Sequence, residues 1–152
     1  MAEVLFYHLE RARLETVLPG LLEKTLQRGW KAVVRAGASE TVSYLDETLW
    51  TYRDESFLPH SADPDPDVAA RQPVWLTTGR ERPNAADLLF VVDRAELDPD
   101  EISAYERCVL IFDGADEEGL AAARALWKGL RGTDYDATYW RQNEAGRWEK
   151  QG

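Results

Sequence analysis

Arg124, Lys128 and Arg131 recur at i, i+4 and i+7 around Trp127 in the stretch ARALWKGLR. At roughly 100° per residue on a helix, that spacing makes a narrow basic stripe. Leu126, Leu130, Ala122 and Ala123 fall on another side, the expected core face, with Trp127 at the border between the two. Guanidinium and ammonium groups hold carboxylates through charge-assisted hydrogen bonds, and a border indole takes an apolar side chain. The pattern also has an ordinary cause, because cations in the last turns of a helix favour its negative end and a border tryptophan simply packs. Trp50 stands at a similar border of an earlier helical stretch, and Phe57 follows it on a polar loop. A large aromatic in such a loop either tucks back onto the domain or lines a binding surface. Trp50, Phe57, Arg124, Trp127, Lys128 and Arg131 would together make a site for a short peptide that is both acidic and apolar. Spacing alone does not place the two helices side by side.

Other chemistries lack their parts. The apolar runs LLFVVD and CVLIFD end in Asp93 and Asp113, a pattern that can hold Mg²⁺ in a nucleotide-hydrolysing fold. Its companion is a glycine-rich loop with Lys-Ser or Lys-Thr after the first strand. Here that position reads YHLERARLE, with no glycine. No nucleotide hydrolysis and no cofactor are therefore expected. A metal-dependent protein built on Asp93 or Asp113 is the enzyme alternative, and the missing loop counts against it. His8 and His60 have no spaced partner for a metal site. Cys108, inside CVLIF, is expected to pack as a small hydrophobe. Asp46/Glu47 and Glu117/Glu118 read as solvated helix faces rather than acid–base pairs. Asp116, Glu117 and Glu118 also complement the dipole of the last helix. No catalytic residue is expected.

Positioning the basic stripe requires a scaffold, and apolar runs of strand length alternate here with stretches of helical period, the signature of an α/β domain. The first strand is Glu3 to Leu9, and a helix follows with Leu14, Val17, Leu18, Leu21 and Leu22 on one face. Pro19 either opens that helix or kinks it, and Gly29 closes it. Lys31 to Ala36 reads as a strand. Ser39 reads as the N-cap of a helix whose core stripe is Val42, Leu45 and Leu49. Residues 53–72 hold prolines, aspartates and serines and are expected to form a long surface loop, of a kind that is often functional. Strands follow at Val74 to Thr78 and Asp87 to Asp93, then a helical connector entered at Pro99 and a strand from Arg107 to Asp113. The last helix spans Asp116 to Leu130, and the tail forms a hairpin around Glu144 to Gly146 at the sheet edge. The expectation is one domain over residues 1–152, a mostly parallel sheet flanked by helices.

The composition is globular, with 44% hydrophobic and 30% charged residues and six tryptophans. One cysteine excludes an internal disulfide framework and suits a reducing cytosol. No run of about 18 apolar residues is present to span a membrane, and the first residues lack the pattern of a signal peptide. A cytoplasmic location is expected. With 28 acidic against 18 basic residues the formal net charge is -10. A DNA backbone repels such a chain, whereas a local basic patch still attracts a small acidic partner. Direct nucleic-acid binding through the basic helix is the other alternative, disfavoured by the charge.

SYLDETLW (Ser43 to Trp50), DESFLPH (Asp54 to His60), FYHL in the first strand and RALWKGLR late in the chain occur in order over nearly the whole length. In these the chain resembles the chi subunit of bacterial DNA polymerase III holoenzyme. The LDETLW and SFLPH block is the specific part. The resemblance implies a Rossmann-like fold without a phosphate-binding loop, and a non-catalytic accessory subunit. It implies two partners, the acidic, phenylalanine-terminated tail of single-stranded-DNA-binding protein and the small psi subunit, which connects to the clamp loader. DNA would be met only indirectly. By motif, the tail-binding residues correspond to Trp50, Phe57, Arg124, Trp127, Lys128 and Arg131. Leu120 stands where the family's best-known members carry a basic residue, a departure that weakens the electrostatic part of binding or moves it to Arg80 or Arg82.

Overall fold

The computed structural model describes residues 3–10, 12–51, 60–62, 65–131, 133, 135–143 and 147–151, and the backbone alone at Trp50 and Pro66. Seven strands form one sheet: β1 (Glu3–Leu9), β2 (Ala32–Arg35), β3 (Val74–Thr77), β4 (Leu88–Val91), β5 (Arg107–Asp113), β6 (Asp136–Gln142) and β7 (Trp148–Lys150). Their order is β3-β2-β4-β5-β1-β6-β7. Every pairing is parallel except that of β6 with β7, an antiparallel hairpin at the edge. Parallel neighbours need crossovers, and helices supply them. These are α1 (Leu14–Gln27), α2 (Ser39–Thr51), α3 (Pro66–Arg71), a 3-10 helix (Pro99–Ala104) and α4 (Glu117–Leu130).

The period-2 alternation of strand side chains decides which helix covers which face. Leu5, Val34, Leu76, Phe90, Val109 and Ile111 point to one side, where Leu18 and Leu22 of α1 and Leu45 and Leu49 of α2 meet them. Val4, Phe6, Val33, Leu89, Cys108 and Phe112 point to the other, under Ala123 and Leu130 of α4, Ile102 of the 3-10 helix and Ala69 of α3. Full burial of a leucine of this kind contributes about 1.5–3 kcal/mol. The central strands are covered on both faces, which is why they read as unbroken apolar runs.

Local signals explain the boundaries. Gly29 closes α1 in the left-handed region, at φ 80°. Pro19 lies inside α1 rather than in its first turn, and the helix continues through it. Ser39 is not the cap of α2 but its first residue, for the carbonyl of Ala38 accepts from the Thr41 and Val42 amides. The stretch expected to be irregular holds α3, started by Pro66 in its first turn and by the Asp65 carboxylate, which accepts from the Asp67 amide. Ser61 runs parallel to Trp75 beside β3. Two reciprocal bonds between Asp98 and Glu101 cap the 3-10 helix.

Candidate functional site

α4 sits on the sheet through Gly119, Ala123 and Leu130, which are buried. One flank of the helix then faces β1 and β6, and there Leu120 and Trp127 are half-buried against the core. The indole of Trp127 stands edge-on to Phe6 at 5.3 Å and to Tyr139 at 5.8 Å. Phe6 and Tyr139 are themselves stacked, 6.4 Å apart. Each edge-to-face pair adds about 0.5–1.5 kcal/mol beyond the burial of the rings. Trp127 is thus a fixed platform, packed on one side and open on the other.

Arg124, Lys128 and Arg131 stand outward along the same flank, all three exposed. Among the described residues no carboxylate pairs with any of them. Arginines elsewhere are engaged: Arg35 with Glu101, Arg94 with Asp116 and Glu118, and Arg107 with Glu3. What sets the α4 cations apart is that three of them share one flank beside an aromatic ring.

The sheet completes this flank with residues that spacing along α4 does not reveal. His8 and Tyr139 occupy neighbouring strands, and the His8 Nδ1 and the Tyr139 hydroxyl are hydrogen-bonded at 2.6 Å. His8 also packs against Phe112, at 5.1 Å between ring centres. A side chain at Gly114 would collide with the His8 ring. Burial lowers the His8 pKa, and the positive charges of Arg141 and Arg124 lower it further against a smaller pull from Asp113. Burial raises the Tyr139 pKa, opposed by Arg124, so the phenol keeps its proton. The Arg124 guanidinium is thereby placed at the rim of this aromatic block. Arg141 is the register neighbour of His8 and pairs with Glu10.

The remaining expected site residues go elsewhere. Trp50 is in the last turn of α2, whose leucines belong to the opposite core cluster. α2 and α4 thus pack on opposite faces of the sheet, and both reach its carboxyl edge, where Tyr44 and Leu45 of the one and Ala122 and Leu126 of the other line the same open crevice. Phe57 lies outside the described residues. Leu120 packs on the core beside Trp127 and supplies apolar surface where a charge was expected. Arg80 and Arg82, the other positions considered for that charge, both have partners within the chain. Arg80 faces Asp98 at 3.5 Å, and Arg82 donates to the Ala86 carbonyl at 2.7 Å and lies over the Tyr105 ring. Ala122, assigned to the core by its position on the helix, is exposed.

Asp93 and Asp113, the residues of the metal-dependent alternative, both have local hydrogen-bond partners. Asp93 accepts a 2.5 Å bond from the Thr41 hydroxyl, and Asp113 accepts from the Ala115 amide at 2.9 Å. Among the described residues no three His, Cys, Asp or Glu side chains are grouped to hold a metal ion. Cys108 is buried, and burial pushes its thiol up to about 12, far from the thiolate a nucleophile needs. No helix among the described residues is long and apolar enough to cross a membrane.

Comparison with known proteins adds two findings. Residues 1–138 match the family described as DNA polymerase III chi subunit, HolC. The chain is also similar to a probable DNA polymerase III subunit chi of Rickettsia prowazekii, at 24% identity, covering 99% of this chain and 92% of that protein.

Proposed function

The chain belongs to the DNA polymerase III chi subunit family, and from that premise we propose that it is a non-catalytic accessory subunit whose α4 flank receives the acidic C-terminal tail of single-stranded-DNA-binding protein. The observation that carries this reading is the row of three exposed cations, without carboxylate partners among the described residues, set beside a braced Trp127. Arg124 and Lys128 meet the tail's aspartates, while Arg131, at the end of the helix, meets its terminal carboxylate. The apolar end of the tail rests on Trp127, Leu120 and Tyr139. Partly exposed ion pairs contribute about 0–1 kcal/mol each, so the contact is weak, roughly micromolar. Many tails on coated DNA raise the apparent affinity by multivalency.

The other face of the sheet carries α2. It is left to the second partner expected of the family, the psi subunit, through which the protein is connected to the clamp loader. The tail reading is tested by calorimetric titration with a peptide ending Asp-Asp-Asp-Ile-Pro-Phe, beside the same peptide without its last residue. Saturable binding to the first, at least about tenfold weaker for the second and for Trp127→Ala, is the expected result. Equal binding of both peptides would remove the apolar half of the site.

A further inference from the structure

The other flank of α4 borders a surface of opposite chemistry. An open crevice of about 970 Å³ runs along the carboxyl ends of β1, β4 and β5. β1 and β5 are neighbours, yet β1 leads to α1 on one face and β5 to α4 on the other. The connections part there, at the kind of switch point where open α/β sheets bind ligands. Its walls are apolar, among them Leu45, Val91, Leu97, Leu110 and Leu126. Tyr44 stands at the rim with 52% of its surface exposed, the one large hydrophobic side chain so exposed among the described residues.

The charges of the rim are unbalanced. Six carboxylates (Glu15, Asp93, Glu96, Asp98, Asp113 and Asp116) face three guanidinium groups (Arg13, Arg80 and Arg94). Each arginine already has a carboxylate: Asp116 at 2.5 Å for Arg94, Asp98 at 3.5 Å for Arg80 and Glu15 at 4.0 Å for Arg13. Asp93 and Arg94 both hold positive φ, 53° and 60°, with Asp93 fixed by Thr41. That turn is an uncommon conformation for non-glycine residues, held in place at the rim of the crevice. A nucleotide does not suit the site, because its phosphates would meet carboxylates and the β1–α1 connection has no glycine cradle. A ligand that is apolar on one side and cationic on the other does.

We infer that this crevice docks a basic amphipathic segment of a second protein, with apolar side chains on the leucine walls, Tyr44 as the aromatic contact, and Lys or Arg side chains on Asp93, Glu96 and Asp113. The inference does not depend on the tail site, which uses the opposite flank of α4 and ligands of opposite sign. Its test is calorimetric titration of the whole chain with a Lys/Leu peptide whose leucines recur at helical spacing. A control peptide of the same composition has the leucines dispersed. Wild type should bind the patterned peptide roughly tenfold more tightly than the control. Tyr44→Ala and Asp113→Asn, both at exposed positions, should each weaken it by about three- to tenfold. Arg124→Ala should leave it unchanged. Equal binding of the two peptides, unaltered binding by the Tyr44 and Asp113 variants, or loss of binding in Arg124→Ala would each overturn the assignment.

Discussion

At the scale of single residues, the α4 flank divides its work between a charge and a ring. Arg124 is exposed, and its field reaches the partly buried His8–Tyr139 pair. Trp127 carries no charge and is held by Phe6 and Tyr139. His8 supplies a prediction through its lowered pKa. The unfolded chain takes up the proton near the ordinary value of 6.5, before the folded chain does. The stability gained by keeping the ring neutral is present above that value and is lost as pH falls through the lower folded pKa. Denaturant midpoints measured from pH 7.5 down to about pH 5 should fall more steeply for wild type than for His8→Gln. Parallel curves would mean that His8 is not the group responsible. The cations of α4 were legible from an i, i+4, i+7 spacing. Tyr139 and His8 were not, because they join the flank through the register of two strands far apart in the chain.

At the scale of elements, the clearest internal constraint is the pair that ties β2 to the 3-10 helix. Arg35 is buried and donates to the Gly79 carbonyl at 2.8 Å, to the Glu96 carbonyl at 2.9 Å and to the Glu101 carboxylate at 2.6 and 3.1 Å. Burial alone would raise the Glu101 pKa, but the bonds from Arg35 and the Asp98 amide outweigh it and leave it lowered. Removing the carboxylate strands a buried cation. Glu101→Ala should therefore cost about 3–5 kcal/mol in urea denaturation, and Glu101→Gln distinctly less. A loss under about 1 kcal/mol would show that water reaches Arg35 without the carboxylate.

β1 and β5 were legible to the residue because an apolar run covered on both faces has only one reading. α3 was hidden by the prolines and aspartates around it. Asp65 followed by Pro66 was the helix-start signal within that stretch, and six residues give no hydrophobic period to confirm it. Which face each helix takes was not legible at all. Crossover connections and strand order decide it, and for that reason α2 and α4 pack on opposite sides of the sheet.

At the scale of the whole molecule, a chain with a net charge of -10 concentrates three exposed cations on one helix flank and an excess of carboxylates across the crevice beyond the other. On the proposed reading the acidic remainder discourages contact with DNA phosphates, and the basic flank attracts an acidic tail at short range, within the Debye length of about 8–10 Å in ordinary buffer. Such a separation of charge would make the proposed contact weak, salt-sensitive and selective for protein-coated over bare DNA. The most direct measurement is therefore binding of the purified chain to immobilised single-stranded DNA coated with single-stranded-DNA-binding protein, with full-length or tail-truncated protein as the coat, for wild type and Arg124→Ala. The account predicts binding only to the full-length coat, weakened by roughly tenfold in Arg124→Ala and falling as salt rises. Equal binding to the truncated coat or to bare DNA, untouched by Arg124→Ala, would contradict it.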